Sequence, residues 1–130
     1  MVSSLYAGLL ALLIIWLSFN VIKLRRAKKI RLGDGNDPEI QAAIRAQGNA
    51  TEYIPIALVL LALLEFNHVH VMLLHLAGIA LCIGRFLHAQ GLLSNNLKLR
   101  VFGMQLTIFT IVPLALINIG YALSTGLNGL

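Results

Sequence analysis

The feature that most constrains this chain is its first apolar run, Val2 to Ile22, which contains no charged side chain. As a helix, such a run is long enough to cross a hydrocarbon core of about 30 Å. A signal peptide would begin with basic residues and carry a shorter apolar region, and this N-terminus does neither. We therefore predict that the chain opens with a retained transmembrane helix.

Composition extends this prediction to the whole chain. Hydrophobic residues make up 58% of the sequence and charged residues 12%, with a mean hydropathy of +0.85, whereas soluble domains contain about 25% charged residues. Apolar runs separated by short polar stretches predict helices at about 2–24, 38–66, 69–90 and 99–122, with Pro55 and Pro113 as possible kinks. Asp37 and Pro38 suit the N-cap and first position of the second helix. We predict an all-α integral membrane protein, one domain over 1–130, folded as an antiparallel four-helix transmembrane bundle.

Positive charge is confined to one end of this predicted bundle. All 10 Lys and Arg lie in the first connection, at the start of the second or fourth helix, or at the end of the third. By the positive-inside rule, the basic loops are cytoplasmic and both termini lie on the other side. The basic residues flank apolar spans and are not interleaved with stacking aromatics, so we expect membrane lipids and no nucleic acid as partners. We expect a multi-pass protein of a bacterial inner membrane.

Several kinds of site are disfavoured by what the chain lacks. Cys82 is the single cysteine, which excludes an internal disulfide, and we expect it to be a packed residue. Glu65 and His68 form one E-x-x-H motif, whereas a di-iron bundle needs two such motifs and two further glutamates. We therefore predict no metal site, and we expect His70 and His75 at the membrane interface or in interhelical hydrogen bonds. The sequence contains no phosphate loop or dinucleotide fingerprint.

The segment RAQGNATEYIP, residues 45–55, carries the most informative pattern. Four polar residues fall within an arc of about 100° on a helix: Arg45, Asn49, Glu52 and Tyr53. One interpretation is a solvated face where the helix leaves the membrane, with Arg45 weakly paired to Glu52. The other is a functional face, because the small residues between them suit close helix packing and ionisable groups beside spans usually face a bundle interior.

Arginines from the other three helices are expected at the same end of the bundle. Arg85 and His88 share a face at the end of the third helix, Arg100 begins the fourth, and Arg25 and Arg26 end the first. Arg85 could instead complement its helix dipole or extend to the membrane surface. Together, the guanidinium groups outnumber the single nearby carboxylate of Glu52. Because each guanidinium can hold a carboxylate bidentately, this excess favours a polyanionic small ligand.

These motifs resemble those of the membrane-associated proteins of eicosanoid and glutathione metabolism. RAQGNATEYIP is similar to the family's R-A-x-x-N-x-x-E-x-x-P core, and NVIKLRRAKK to the basic end of helix one in its leukotriene synthase branch. GRFLHAQG is similar to the R-x-x-H or R-x-x-Y ending of helix three, and LRVFG to the arginine-bearing start of helix four. The resemblance implies a homotrimer that holds glutathione between neighbouring subunits near the cytoplasmic face.

The resemblance also implies a role for each matching residue. Glutathione would be bound by residues from three helices: Arg25 or Arg26, Arg45, Asn49, Glu52, Tyr53, Arg85 and His88. Arg100 would be the catalytic residue, because a guanidinium beside a thiol favours the nucleophilic thiolate. Leu92 stands where several members carry a tyrosine that touches glutathione.

Two functions remain open at this point. The first is a glutathione transferase or peroxidase that acts on a lipophilic electrophile or hydroperoxide from the bilayer, with glutathione as cosubstrate. The alternative is a non-catalytic protein of the same fold that binds lipid or another anionic ligand, or serves as a scaffold. A small transporter subunit is a weaker interpretation, because no pair of broken helices marks an ion path.

Overall fold

The computed structural model describes the backbone of residues 1–128, which forms four α-helices: α1 Val2–Lys28, α2 Pro38–Phe66, α3 Val71–Leu93 and α4 Leu97–Asn128. Each helix contains a stretch that is long and apolar enough to cross a membrane. No strand occurs within the described range. The prediction of an all-α bundle of four transmembrane helices is therefore confirmed.

The helices are arranged with α2 and α3 at the centre. These two pack against each other, α1 packs against both, and α4 packs against both, while α1 and α4 make no contact within the described residues. Short connections make successive helices antiparallel. The ends of α1 and α3 and the starts of α2 and α4 consequently lie at the same end of the molecule, which we call the basic end because it carries the lysines and arginines.

The ends of three helices differ from the sequence prediction. The first helix continues beyond residue 24 to Lys28, since its basic residues suit a helix C-terminus. It stops at Lys29, which is left-handed with φ 56° and donates its N–H to the Arg25 carbonyl. The third and fourth helices begin at 71 and 97, not at 69 and 99, and end at 93 and 128, not at 90 and 122.

Side-chain caps account for the new helix starts. The His70 Nδ1 accepts a hydrogen bond from the Met72 N–H at 3.2 Å, so His70 lies just before α3. The Asn96 Oδ1 likewise accepts from the Leu99 N–H at 3.2 Å and sets the start of α4. Both contacts satisfy amide groups that a helix leaves unpaired in its first turn.

The start of α2 matches its prediction. Asp37 is the N-cap, its side chain accepts from the N–H groups of Glu39 and Ile40, and Pro38 follows as the first helical residue. The same carboxylate accepts from the Lys28 Nζ at 2.7 Å, which ties the end of α1 to the start of α2. The hydrogen bond from Lys28, together with the two backbone N–H groups, lowers the pKa of Asp37 below its ordinary value.

We expect Asp37→Asn to lower the melting temperature at neutral pH, because asparagine retains the cap but loses the ion pair with Lys28. A carboxyl with a lowered folded-state pKa contributes stability above its unfolded pKa and loses that contribution as the pH falls through the folded pKa. The difference from wild type should therefore begin to shrink as the pH falls below about 3.9, the ordinary pKa of an aspartate, and should disappear only below the lower folded-state pKa. Thermal denaturation over a pH series measures this. Asp34→Asn, the same charge change in the same loop, is the control, and an equal loss for both variants would contradict the prediction.

Polar contacts also link α1 to α2 and α3 at the end of the bundle opposite the basic end. Glu65 accepts hydrogen bonds from the backbone N–H groups of Val2 and Ser3 and from the Ser3 hydroxyl, and so caps the start of α1. The Tyr6 Oη lies 2.8 Å from the His75 Nδ1, which links α1 to α3. The prediction of an interhelical hydrogen bond is thus confirmed for His75, whereas His70 caps its own helix.

Glycines bring α3 and α4 into backbone contact near the basic end. A Cβ added to Gly91 would lie 2.3 Å from the Arg100 nitrogen, and one added to Gly103 would lie 2.3 Å from the His88 nitrogen. Such distances leave no space for a side chain. The missing side chains therefore allow His88 on α3 to sit directly beside the first turns of α4, where Arg100 lies.

Candidate functional site

A groove of about 410 Å³ opens at the basic end between α2, α3 and α4. Its polar lining consists of Arg45, Asn49, His88, Arg100 and Gln105. Its apolar lining consists of Leu92, Leu97, Val101, Met104 and Ile108. Volume and composition suit a small ligand that presents a charged end and an apolar end.

The arginine at the rim of this groove is paired along its own helix. The Arg45 Nη2 lies 2.8 Å from the Glu52 Oε2, and the two side chains are 49% and 54% exposed. This is the pairing that the solvated-face interpretation predicted. An exposed ion pair of this kind contributes little to stability because solvent screens it, so a ligand carboxylate can take the place of Glu52 at small cost.

The same helix buries the residue next to this pair. Asn49 is only 7% exposed, and Ala46 and Ala50 beside it belong to the hydrophobic core. The face of α2 therefore combines an exposed ion pair with a buried amide that lines the groove. The functional-face interpretation accounts for the buried amide, which a solvated face would not contain.

Arg85 lies behind the groove wall. Its side chain is 1% exposed, so it does not extend to the membrane surface. Its Nε donates to the Thr107 Oγ1 at 3.0 Å and its Nη1 donates to the Asn49 Oδ1 at 2.5 Å. Its Cζ is 5.4 Å from the centre of the Tyr53 ring. Arg85 thus joins α3 to α2 and α4, and neither it nor Tyr53 is part of the groove lining.

Two other residues of the predicted site do line the groove. His88 is 3% exposed, one turn beyond Arg85 on α3, and Arg100 faces it from the first turn of α4 with an exposed side chain. Arg100 makes no side-chain hydrogen bond or ion pair within the described residues. Its guanidinium group therefore remains available to a ligand.

Comparison of the sequence with known proteins identifies the family. Residues 3–120 match the model of the MAPEG family. The chain belongs to the MAPEG family. It is 42% identical over 121 residues to Inner membrane protein YecN of Escherichia coli K12, an alignment that covers 93% of this chain and 92% of that protein. The same identity and coverage hold for YecN of Escherichia coli O6:H1. With four apolar helices, these similarities support a multi-pass inner membrane protein.

The MAPEG resemblance assigned Arg25 or Arg26 to the ligand, and neither lines the groove of its own chain. The Arg25 Nη1 donates to the Gly33 carbonyl at 2.7 Å and to the Ile30 carbonyl at 3.5 Å, so it holds the connection that follows α1. Arg26 is exposed on the surface of α1. A contact of either residue with a ligand stays a prediction, and in the implied homotrimer it would come from a neighbouring subunit.

Sequence reasoning missed most of the α4 side of this MAPEG groove. The missed lining residues are Leu97, Val101, Met104, Gln105 and Ile108. Their spacing of three or four residues around Arg100 marks one helical face, which was a readable signal. It was obscured because every face of an apolar transmembrane helix carries Leu, Ile and Val.

The described residues bring no three His, Cys, Asp or Glu side chains together in a way that could hold a metal ion. Glu65, half of the E-x-x-H motif, is occupied as the cap of α1. The chemistry available at the groove is therefore that of guanidinium, amide and imidazole groups beside an apolar wall.

Proposed function

We propose that this MAPEG protein is a glutathione-dependent membrane enzyme, of the transferase or peroxidase type, that acts on lipophilic electrophiles. The observation that carries the proposal is the composition of the groove. Two guanidinium groups, from Arg45 and Arg100, line it together with an apolar wall, and no carboxylate is among the described lining residues. Such a groove favours an anionic ligand next to an apolar one.

Glutathione has the matching chemistry. At neutral pH it carries two carboxylates, one ammonium group and a thiol, so its net charge is negative. Arg45 offers a bidentate contact to one carboxylate. In the proposed homotrimer, Arg26 of a neighbouring subunit supplies a further cation to the same ligand. In this proposal Arg100 meets the thiol, whose sulfur reacts as the thiolate.

The proposed reaction needs only these groups. Arg100 stabilises the thiolate, and the thiol proton passes to water. The sulfur lone pair then forms a C–S bond with the electrophilic carbon, while a leaving group departs with its electron pair. With a hydroperoxide, sulfur attacks the terminal oxygen and the O–O bond breaks. The departing alkoxide takes a proton from water and leaves as an alcohol. A second glutathione thiol then converts the sulfenic acid to the disulfide and water. The hydrophobic substrate would enter along Val101, Met104 and Ile108 on α4.

A second candidate function is binding without chemistry. It is favoured by Leu92, which lines the groove with an apolar side chain where several family members carry a tyrosine. A groove that lacks this hydroxyl retains its cations and can hold an anionic ligand or a lipid. Turnover of a hydrophobic electrophile separates the two functions, because binding alone produces no thioether.

Glutathione at millimolar concentration should raise the melting temperature of the purified protein in mild detergent. A ligand at one hundred times its dissociation constant stabilises the folded state by about 2.7 kcal/mol. Arg45→Gln should reduce this shift, whereas Arg31→Gln, the loss of an exposed basic residue outside the groove, should leave it unchanged. A wild-type protein whose melting temperature does not respond to glutathione would overturn the proposal.

A further inference from the structure

We infer that Arg85 is a positioning residue that fixes the orientation of the Asn49 amide, so that the groove selects ligands with a hydrogen-bond acceptor at this point. The orientation itself follows from contacts within the chain. Only the identification of the ligand as glutathione rests on the proposed function.

The first step is the contact between Arg85 and Asn49. A guanidinium group has N–H donors and no acceptor. The Asn49 atom that lies 2.5 Å from the Arg85 Nη1 must therefore be the carbonyl oxygen Oδ1, and a flipped amide would place two donors against each other. The backbone carbonyl of Asn49 accepts from the same Nη1 at 3.4 Å, which holds the guanidinium group at this residue.

The second step is what fixes Arg85. The Thr107 hydroxyl donates its hydrogen to the Gly103 carbonyl at 2.8 Å, so its oxygen is free to accept. The Arg85 Nε donates to that oxygen at 3.0 Å. The donor and the acceptor of each hydrogen bond in the series Gly103–Thr107–Arg85–Asn49 are thus determined. This series of hydrogen bonds crosses from α4 through α3 to α2.

The third step is the free side of the Asn49 amide. Its Nδ2 makes no hydrogen bond to the described residues, yet it is not among the fully buried unpaired atoms. Asn49 lines the groove and its Oδ1 is held by Arg85, so this NH₂ group is the part of the amide that is left for a ligand in the groove. With Arg45 and Arg100, it makes three donor groups in one lining. A carboxylate or carbonyl oxygen fits between them, and an ammonium group does not.

Asn49→Asp tests the inference, because aspartate has nearly the same shape but no donor. One carboxylate oxygen would replace Oδ1 and give the buried Arg85 the counter-charge that it lacks among its described contacts. The other oxygen would face the groove as an acceptor. We expect a melting temperature equal to or above that of wild type, and a glutathione affinity at least about tenfold weaker. Unchanged glutathione affinity would overturn the inference.

A double-mutant cycle tests the orientation without a ligand. The change in melting temperature caused by Asn49→Asp should be clearly less favourable in an Arg85→Gln background than in wild type, because the new ion pair is then absent. Equal effects in both backgrounds would show that Arg85 does not orient this side chain. If wild type does not respond to glutathione, the proposed function fails, and this cycle still decides the orientation.

Asn118→Asp is the matched control for the same chemical change. The Asn118 Nδ2 donates to the carbonyls of Leu60 at 3.0 Å and Leu114 at 2.8 Å, so here the NH₂ group is the bonded one. Aspartate would place an acceptor against two acceptors. We expect this variant to lose thermal stability, the opposite direction from Asn49→Asp. A loss of equal size at both positions would contradict the assignment at Asn49.

Discussion

Gly103→Ala is expected to destabilise the protein by about 1–3 kcal/mol, because overpacking of a tight interface costs energy of this order. A Cβ at this position would lie 2.3 Å from the His88 nitrogen and 2.6 Å from the Gly84 carbonyl oxygen. Both are backbone atoms, so no side-chain rotation can relieve the clash. The two helices must separate, which also moves Arg100 away from His88. Thermal denaturation in detergent and the response to glutathione should both show the loss.

Gly120→Ala is the matched control for this substitution. Gly120 lies on the same helix, and no heavy atom would lie within 4 Å of its added Cβ. Alanine is a better helix former than glycine by up to about 1 kcal/mol, so this variant should be neutral or slightly stabilised. Equal losses for the two variants would mean that the contact between α3 and α4 does not determine stability.

The four helices could be predicted because apolar length is a property of the sequence alone. The first turn of α2 was equally readable, since Asp37 followed by Pro38 is a local signal that requires no tertiary contact. The starts of α3 and α4 could not be predicted in the same way. His70 and Asn96 cap these helices, but histidine is an uncommon cap and Asn96 sits in a loop with several polar candidates.

The sequence predicted which site residues share a helix face, but not which of them are buried behind the groove lining. Helical spacing placed Arg85 and His88 on one side of α3, yet a separation of three residues leaves them about 60° apart around the axis. His88 lines the groove, while Arg85 is covered by α4, which approaches closely at Gly84 and Gly103. That approach depends on glycines in two different helices. No pattern within either helix could reveal it.

Arg100→Ala is expected to reduce glutathione-dependent turnover of a hydrophobic chloronitrobenzene by about 10²–10³-fold, the usual cost of removing one donor to a developing or stabilised anion. The guanidinium group favours the thiolate, so its loss should also move the midpoint of the pH–rate profile upward. Stability should change little, because the side chain is exposed and makes no hydrogen bond or ion pair within the described residues. Product formation followed by absorbance measures the rate, and thermal denaturation checks the fold.

Two further variants separate a specific role for Arg100 from the general effect of positive charge. Lys98→Ala removes an exposed cation two residues earlier, which does not line the groove, and should leave turnover near the wild-type value. Arg100→Lys retains the charge but not the planar fork, so it should recover part of the rate. If Arg100→Ala turns over at the wild-type rate, the catalytic assignment is wrong. If wild type responds to glutathione in thermal denaturation but forms no thioether and consumes no hydroperoxide, the groove is a binding site. Leu92→Tyr is then the first substitution to test for a gain of turnover.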